Sequence, residues 1–408
     1  MARIHFLIIS LVTLFAIVPL NNTSAQQTNY EFIPAPDLWY NDVDGIRAGI
    51  RLQGQVPGTF EDGPHRLDAG FWLSTWFPSL PVSYYLSFTE PIRDWSEYGS
   101  EASGRLLSSV RTGYHIHGFE LNKRWQQGFD ERRYRETGWL NTFEKRFDDE
   151  YTAFPVLWSD AGKIISKASF ELQDDNPLGW YNIRTTAAYQ FLDRGYGYVT
   201  ASALQRAPLN DNWGFRFRIF SGIASADTDP EYLFPRSSSP AVNWMESGLT
   251  RAKGTIPTNW ITDGNFQVAG GANLRGYTNQ DAAIFTGTEL PADAMLLNSV
   301  LSFNTEFDYF NPINLLFEKI PYASDFLSFR SYLFFDAGTS LQVDDNDPDT
   351  IFSDAGAGFS LSLNIPDYLG KPRGFVLRYE LPFWLSEPGE EDNLKLRHLF
   401  AAGAVISF

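Results

Sequence analysis

The residues best placed to do chemistry in this chain are one arginine, Arg275, and two acids, Glu306 and Asp336. Arg275 stands in Gly270-Gly271-Ala272-Asn273-Leu274-Arg275-Gly276-Tyr277. Two glycines, a lone cation and a third glycine before an aromatic ring suit a tight backbone tip that carries one charge inward. Glu306 belongs to the strand-like segment Ser299–Tyr309. There Leu301, Phe303, Thr305 and Phe307 share one face, and Ser302, Asn304, Glu306 and Asp308 share the other. In residues 331–338, Leu333 and Phe335 take one face and leave Asp336 on the opposite one. In a sheet closed around a lumen both acids would point inward, where an arginine-bearing loop could reach them. The chemistry on offer is a buried ion pairing that pins a loop. The same parity fits, equally well, two lumen acids solvated by water.

Signals for covalent or metal catalysis are sparse. No Gly-x-Ser-x-Gly elbow and no His-Glu-x-x-His occurs. His115 and His117 share a strand face at spacing two, but no third ligand accompanies them. The acidic runs Asp148-Asp149-Glu150 and Asp344-Asp345-Asn346-Asp347 lack EF-hand spacing and read as solvated turns. The chain has no cysteine, which excludes a disulfide scaffold, thiolate zinc sites and lipid attachment at a lipobox. The expectation is a protein that is not an enzyme and needs no metal or cofactor. A hydrolase assembled across barrel strands is the reading that spacing alone leaves open.

The elements that must position Arg275 are strands. Residues 1–25 read as a secretory signal, with Arg3, an apolar centre over residues 6–20, and Thr23-Ser24-Ala25 before Gln26. Residues 26–44, with Pro34 and Pro36, read as a short periplasmic lead. Beyond them the dominant pattern has period two. In Gly45–Gln55, Ile46, Ala48, Ile50 and Leu52 alternate with Arg47, Gly49 and Arg51. Similar windows follow at residues 66–76, 81–90, 104–111, 114–123, 139–146, 163–172, 181–192, 198–205 and 213–224. After a long loop over residues 225–298, more lie at 299–309, 331–338, 356–364, 375–382 and 398–408. Bacterial single-chain barrels use an even number of strands, so about sixteen are expected, with one still to be placed between Phe147 and Gly162.

Composition agrees with a membrane barrel. The chain holds 12 Trp, 19 Tyr and 34 Phe, as aromatic girdles at both interfaces would require. A formal charge of −17 excludes the basic footprint of nucleic-acid binding. The many arginines suit lipopolysaccharide phosphates or a polar lumen. A secreted sandwich would also alternate, but the chain stops on an aromatic strand, with Gly403, Ile406 and Phe408 in the order Gly-x-x-apolar-x-aromatic. The fold expected is therefore all-β, a transmembrane antiparallel β-barrel of sixteen strands over residues 45–408, with a long inward-folded extracellular loop.

Several ordered motifs resemble those of the BamA, TamA and FhaC-type outer-membrane barrels, the bacterial surface antigen family. Leu274-Arg275-Gly276-Tyr277 is similar to that family's inward-folded loop motif. Thr305-Glu306-Phe307, Leu333-Phe334-Phe335-Asp336-Ala337-Gly338-Thr339 and Arg378-Tyr379-Glu380-Leu381-Pro382-Phe383 follow in the family's order. The resemblance is specific over residues 270–408 and general over residues 45–224. It implies that Arg275 bonds Glu306 and Asp336, that Gly270, Gly271 and Gly276 shape the loop tip, and that Gly403, Ile406 and Phe408 form a C-terminal assembly signal. It further implies a weak seam between the first and last strands, placed here between Gly45–Gln55 and residues 398–408.

The activity implied is insertion of proteins into the outer membrane, or their movement across it. Partners would be outer-membrane lipid and lipopolysaccharide, client or secreted polypeptides, and a periplasmic POTRA-bearing protein that supplies the domains this chain lacks ahead of its barrel. The alternative is a passive pore or surface-anchoring barrel without insertase activity.

Overall fold

A computed structural model of the chain describes residues 30–41, 45–56, 65–76, 82–111, 114–126, 132–146, 155–210, 212–243, 257–282, 284, 296–317, 319–320, 327–340, 351–366 and 372–405. The signal segment, Ile406 and Phe408 lie outside these residues.

Sixteen long strands form one antiparallel wall. They are β1 (Glu31–Asn41), β2 (Gly45–Gln55), β3 (Arg66–Ser74), β4 (Val82–Pro91), β5 (Ser100–Arg111) and β6 (Tyr114–Gln126). Next come β7 (Tyr134–Arg146), β8 (Lys163–Asn176), β9 (Gly179–Gln190), β10 (Tyr196–Asn210) and β11 (Trp213–Ala224). The last five are β12 (Ser299–Tyr309), β13 (Leu327–Thr339), β14 (Phe352–Pro366), β15 (Pro372–Leu385) and β16 (Leu399–Val405). Each pairs with its sequence neighbour, and β11 joins β12 directly across the base of the long loop, with Glu306 opposite Arg216.

The alternation of the sequence becomes two faces. Ile46, Ile50, Phe71, Leu73, Trp139, Val199, Ile219, Leu301, Phe303, Leu333 and Phe335 are all exposed on the outside of the wall. So continuous an apolar belt is foreign to a water-soluble surface and suits hydrocarbon. Aromatic side chains cluster at its two rims. Tyr40, Trp76 and Phe191 lie at or just past the ends of strands running one way; Trp95, Tyr98 and Phe310 lie past the ends of strands running the other, and Trp213 starts a strand at that same rim. No described helix is long and apolar enough to cross a membrane.

Two expectations are corrected. The described part of residues 147–162 is not a strand; Pro155–Leu157 is a short 3-10 turn whose Leu157 and Trp158 pack into the lumen. The additional strand is β1, in the stretch read as a periplasmic lead, so the barrel begins at Glu31 rather than Gly45. Its prolines concealed it. Proline cannot donate to a ladder and is tolerated in sheets only at an edge. The seam accordingly lies between β1 and β16, since Gly45–Gln55 is paired on both sides, to β1 and to β3.

Inside the wall, described residues of the long loop pack against lumen-facing strand residues. Phe220, Phe234, Leu274, Tyr277, Val300 and Leu385 form one buried cluster, and Tyr114, Leu157, Trp158, Ile261, Phe266 and Ile284 form another. Both mix loop and wall residues, so the loop is packed as core.

Because Phe303 faces outward near the middle of β12, Phe303→Arg is expected to destabilise the bilayer-embedded barrel by about 2–4 kcal/mol. Ser302→Thr, on the lumen side, is expected to cost well under that. Denaturant unfolding from lipid vesicles measures both, and equal costs would refute the inside–outside assignment.

Candidate functional site

The loop tip is shaped by backbone that ordinary side chains avoid. Gly270 and Gly271 have φ of 138° and 57°, and Asn273 has φ of 59°. At Gly270 a Cβ would meet the Cβ of Ser239 at 2.8 Å, so glycine is required there by space as well as by φ. Asn273 tolerates the left-handed region because its Oδ1 accepts from Gln267 Nε2 at 3.2 Å and from the Gly270 amide at 3.4 Å. This reversal delivers Arg275 into a single 3-10 turn, Arg275–Tyr277.

Arg275 is 1% exposed and makes four hydrogen bonds through its guanidinium. Its Nε and Nη2 donate to the two oxygens of Asp336 at 2.7 and 2.8 Å, a bidentate fork. Its Nη1 donates to Glu306 Oε1 and to Glu380 Oε1, both at 2.8 Å. The face of the group lies 3.9 Å from the Phe334 ring centroid. Burial works against the charge, but Asp336, Glu380 and Glu306 outweigh it and hold the Arg275 pKa well above the ordinary arginine value. One loop residue thus binds β12, β13 and β15 at once.

Neighbouring groups fix the turn. Gly276 leaves no room for a Cβ, which would meet Leu385 Cδ2 at 2.3 Å and Asp354 Cβ at 2.7 Å. The Tyr277 hydroxyl donates to the Ser353 carbonyl at 3.1 Å, while its ring meets Phe352 edge-on. Arg218 of β11 donates to the Gly271 carbonyl at 2.7 Å and to Asn304 Oδ1 at 2.8 Å. Leu274 is buried in the apolar cluster above the tip.

A second anchor lies on the opposite part of the wall. Lys163 at the start of β8 is 1% exposed, and its Nζ sits 2.6 Å from Glu231 and 3.6 Å from Asp229, both loop residues. Tyr196 of β10 donates to Asp229 at 2.9 Å. Tyr232 of the loop and Tyr114 of β6 both donate to Glu144 of β7, at 3.3 and 2.5 Å. Burial raises the Glu231 pKa above the usual carboxylate value, with Lys163 partly offsetting it. The loop is therefore tied to β6–β10 by residues 229–232 and to β12–β15 by Arg275.

Sequence parity brought Glu306 and Asp336 to Arg275; it did not single out Glu380, Arg218 or the Lys163 cluster. The signal for Glu380 was present, since exposed Leu377 sets the parity that turns Arg378 and Glu380 inward. Gly403 pairs with Val376 of β15, while Ile406 and Phe408 lie outside the described residues. His115 and His117 have ring centroids 5.9 Å apart, and no group of three metal-ligating side chains occurs among the described residues.

At β16 the arrangement departs from simple pairing. Phe266 and Gln267 of the loop run parallel to it, with Phe266 beside Phe400 and Gln267 beside Ala401, and the Phe400 amide donates to the Asn265 carbonyl at 2.7 Å. Among the described residues β1 and β16 share no ladder.

No family model and no curated protein matches the chain in sequence. In structure it is similar to BamA from Haemophilus ducreyi lacking POTRA domains 1-3, at 13% identity over 92% of this chain and 71% of that one, with a TM-score of 0.49. It is also similar to CdiB from Escherichia coli, at 10% identity over 94% of this chain and 64% of that one, with a TM-score of 0.43. For CdiB from Acinetobacter baumannii the identity is 11% over 93% of this chain and 60% of that one, with a TM-score of 0.37.

Removing one member of a buried ion pair costs about 3–5 kcal/mol, and Arg275→Ala strands three acids. The variant is expected to lose its heat-resistant folded band on unheated gels at lower temperature than the parent. Arg275→Lys, which keeps the charge and loses the fork, is expected to recover only part of the loss. An Arg275→Ala barrel as heat-resistant as the parent would rule out this bracing.

Proposed function

We propose that the protein is an integral barrel of the outer membrane, exported by its N-terminal signal, that assists polypeptides in entering or crossing that membrane by opening the β1–β16 seam. Client or secreted polypeptides are its substrates, lipid and lipopolysaccharide its surroundings, and a periplasmic POTRA-bearing protein a fitting partner for substrate delivery. Arg275, Glu306 and Asp336 serve this by holding one wall rigid. Leu274, Gly276 and Tyr277 seat the loop, Gly270 and Gly271 form its tip, and Gly403, Ile406 and Phe408 form the terminal strand signal.

The observation that carries this reading is asymmetry. The long loop cross-braces β6–β10 against β12–β15 through two buried charge clusters, while the described residues of β1 and β16 form no ladder with one another. A wall braced over β6–β10 and β12–β15 and without a ladder at one seam is expected to move at that seam. The passive-pore alternative finds less support, because the lumen is occupied by packed apolar side chains of the loop.

The cysteine-free chain allows a clean test. One cysteine in Glu31–Asn41 and one in Leu399–Val405 would lock the seam when oxidised. Client-barrel assembly in the cell is expected to fall on locking and to return with reductant. Unchanged assembly in both states would overturn seam gating and favour the pore or anchor.

A further inference from the structure

Apart from the bracing cluster, one group of lumen charges does not balance. Val199, Ile219, Phe303 and Leu333 are exposed on the outer face. Parity therefore turns Arg206 of β10, Arg216 of β11, Asp308 of β12 and Arg330 of β13 into the lumen. All four lie towards the strand ends that meet the Trp213 rim, away from the long loop. On the topology proposed above this is the periplasmic mouth.

Arg206 and Arg216 stand directly opposite one another on paired strands. Side chains so placed have Cβ atoms about 4.5–5.5 Å apart, and like charges there repel. The nearby acids are already engaged. Asp308 accepts from Arg216 Nε at 3.1 Å through one oxygen and from Arg330 Nε at 2.6 Å through the other. Glu306 gives one oxygen to Arg330 and the other to Arg275. The Arg206 guanidinium makes no hydrogen bond and no ion pair among the described residues, and its Nε is buried without a partner. What holds it is the ring of Trp180, whose centroid lies 4.8 Å from the guanidinium carbon. Stacking of this kind covers the face of the group and leaves its edge donors free. The two terminal nitrogens of Arg216 are likewise unbonded among the described residues, and its side chain is 28% exposed to the lumen. Three positive charges thus meet one whole carboxylate and one shared with Arg275, a surplus of between one and two.

We propose that Arg206 and Arg216, with Arg330 beside them, form a binding site for a divalent oxyanion of the phosphate class at this mouth of the lumen. Guanidinium forks match the oxygens of such a group in bidentate pairs. A dianion cancels a surplus that a single carboxylate leaves partly unmatched, and it separates two arginines that otherwise repel. Nothing in this requires the seam to open, so the site and the seam-gating reading stand or fall separately.

The test is calorimetric titration of the full chain in lipid nanodiscs, which leave both mouths of the barrel open, at fixed ionic strength. Inorganic phosphate is expected to bind saturably, and acetate about tenfold more weakly or worse. Glycerol phosphate carries the same group on a headgroup and separates the two sources. Binding equal to that of inorganic phosphate assigns the site to phosphate-bearing headgroups; binding of inorganic phosphate alone assigns it to the free anion. Arg206→Gln is expected to weaken phosphate binding about tenfold or more. Its folded band on unheated gels is expected to stay as heat-resistant as the parent's, because Arg206 has no ion pair to lose. Arg206→Lys, which keeps the charge without the fork, is expected to recover part of the binding. Arg133→Gln, which removes an exposed cation paired with Asp175 at the same mouth, is expected to change nothing. Phosphate binding unchanged in Arg206→Gln, or no saturable binding by the folded parent, would overturn the site. So would an Arg206→Gln chain that no longer folds, since Arg206 would then be a structural group of the wall.

Discussion

The structure depends on a single buried guanidinium. Arg275 is buried, so its charge is tolerable only because three carboxylates from three strands converge on it. Each acid in turn would be costly in that lumen without the arginine. Such mutual dependence adds little net stability over a well-packed apolar core, but it is intolerant of displacement. It therefore specifies where the loop sits. Glycines with positive φ, a left-handed Asn273 and a Gly276 that cannot carry a Cβ all serve to bring that one charge to one place.

The rest of the architecture follows from having pinned the loop. Once Arg275 is fixed, residues 229–232 reach β6–β10, where Lys163 and three tyrosine hydroxyls bind loop and wall carboxylates. The described parts of the loop are bonded to the wall at both places and pack against it. At the seam β1 carries Pro34 and Pro36, and β16 is paired by residues 266–267 of the loop. Gly403 lies in the last strand opposite Val376 of β15.

Much of this was legible in the sequence, and the exceptions have physical causes. Period-two alternation identified fifteen of the sixteen strands because one face meets lipid and the other a polar lumen. It failed at β1, where Pro34 and Pro36 resemble a linker until an edge is available to accommodate them. Parity found Glu306 and Asp336, since β12 and β13 alternate without interruption. Glu380 follows the same parity, on the face opposite Leu377, Tyr379 and Leu381, but the sequence marks it only as part of a motif and not as a partner of Arg275. The Lys163 anchor had no local signal at all. Its members come from a strand start, a loop turn and three other strands, and each alone reads as an ordinary surface charge or hydroxyl.

The direct measurement of this division between a braced wall and a weak seam is hydrogen exchange of the bilayer-embedded chain, resolved by segment. Amides of Ser299–Tyr309 and Leu327–Thr339 are expected to exchange slowest, and those of Glu31–Asn41 and Leu399–Val405 orders of magnitude faster. Protection in β1 and β16 equal to that in β12 and β13 would mean a seam closed as firmly as the rest of the wall, and would contradict the account.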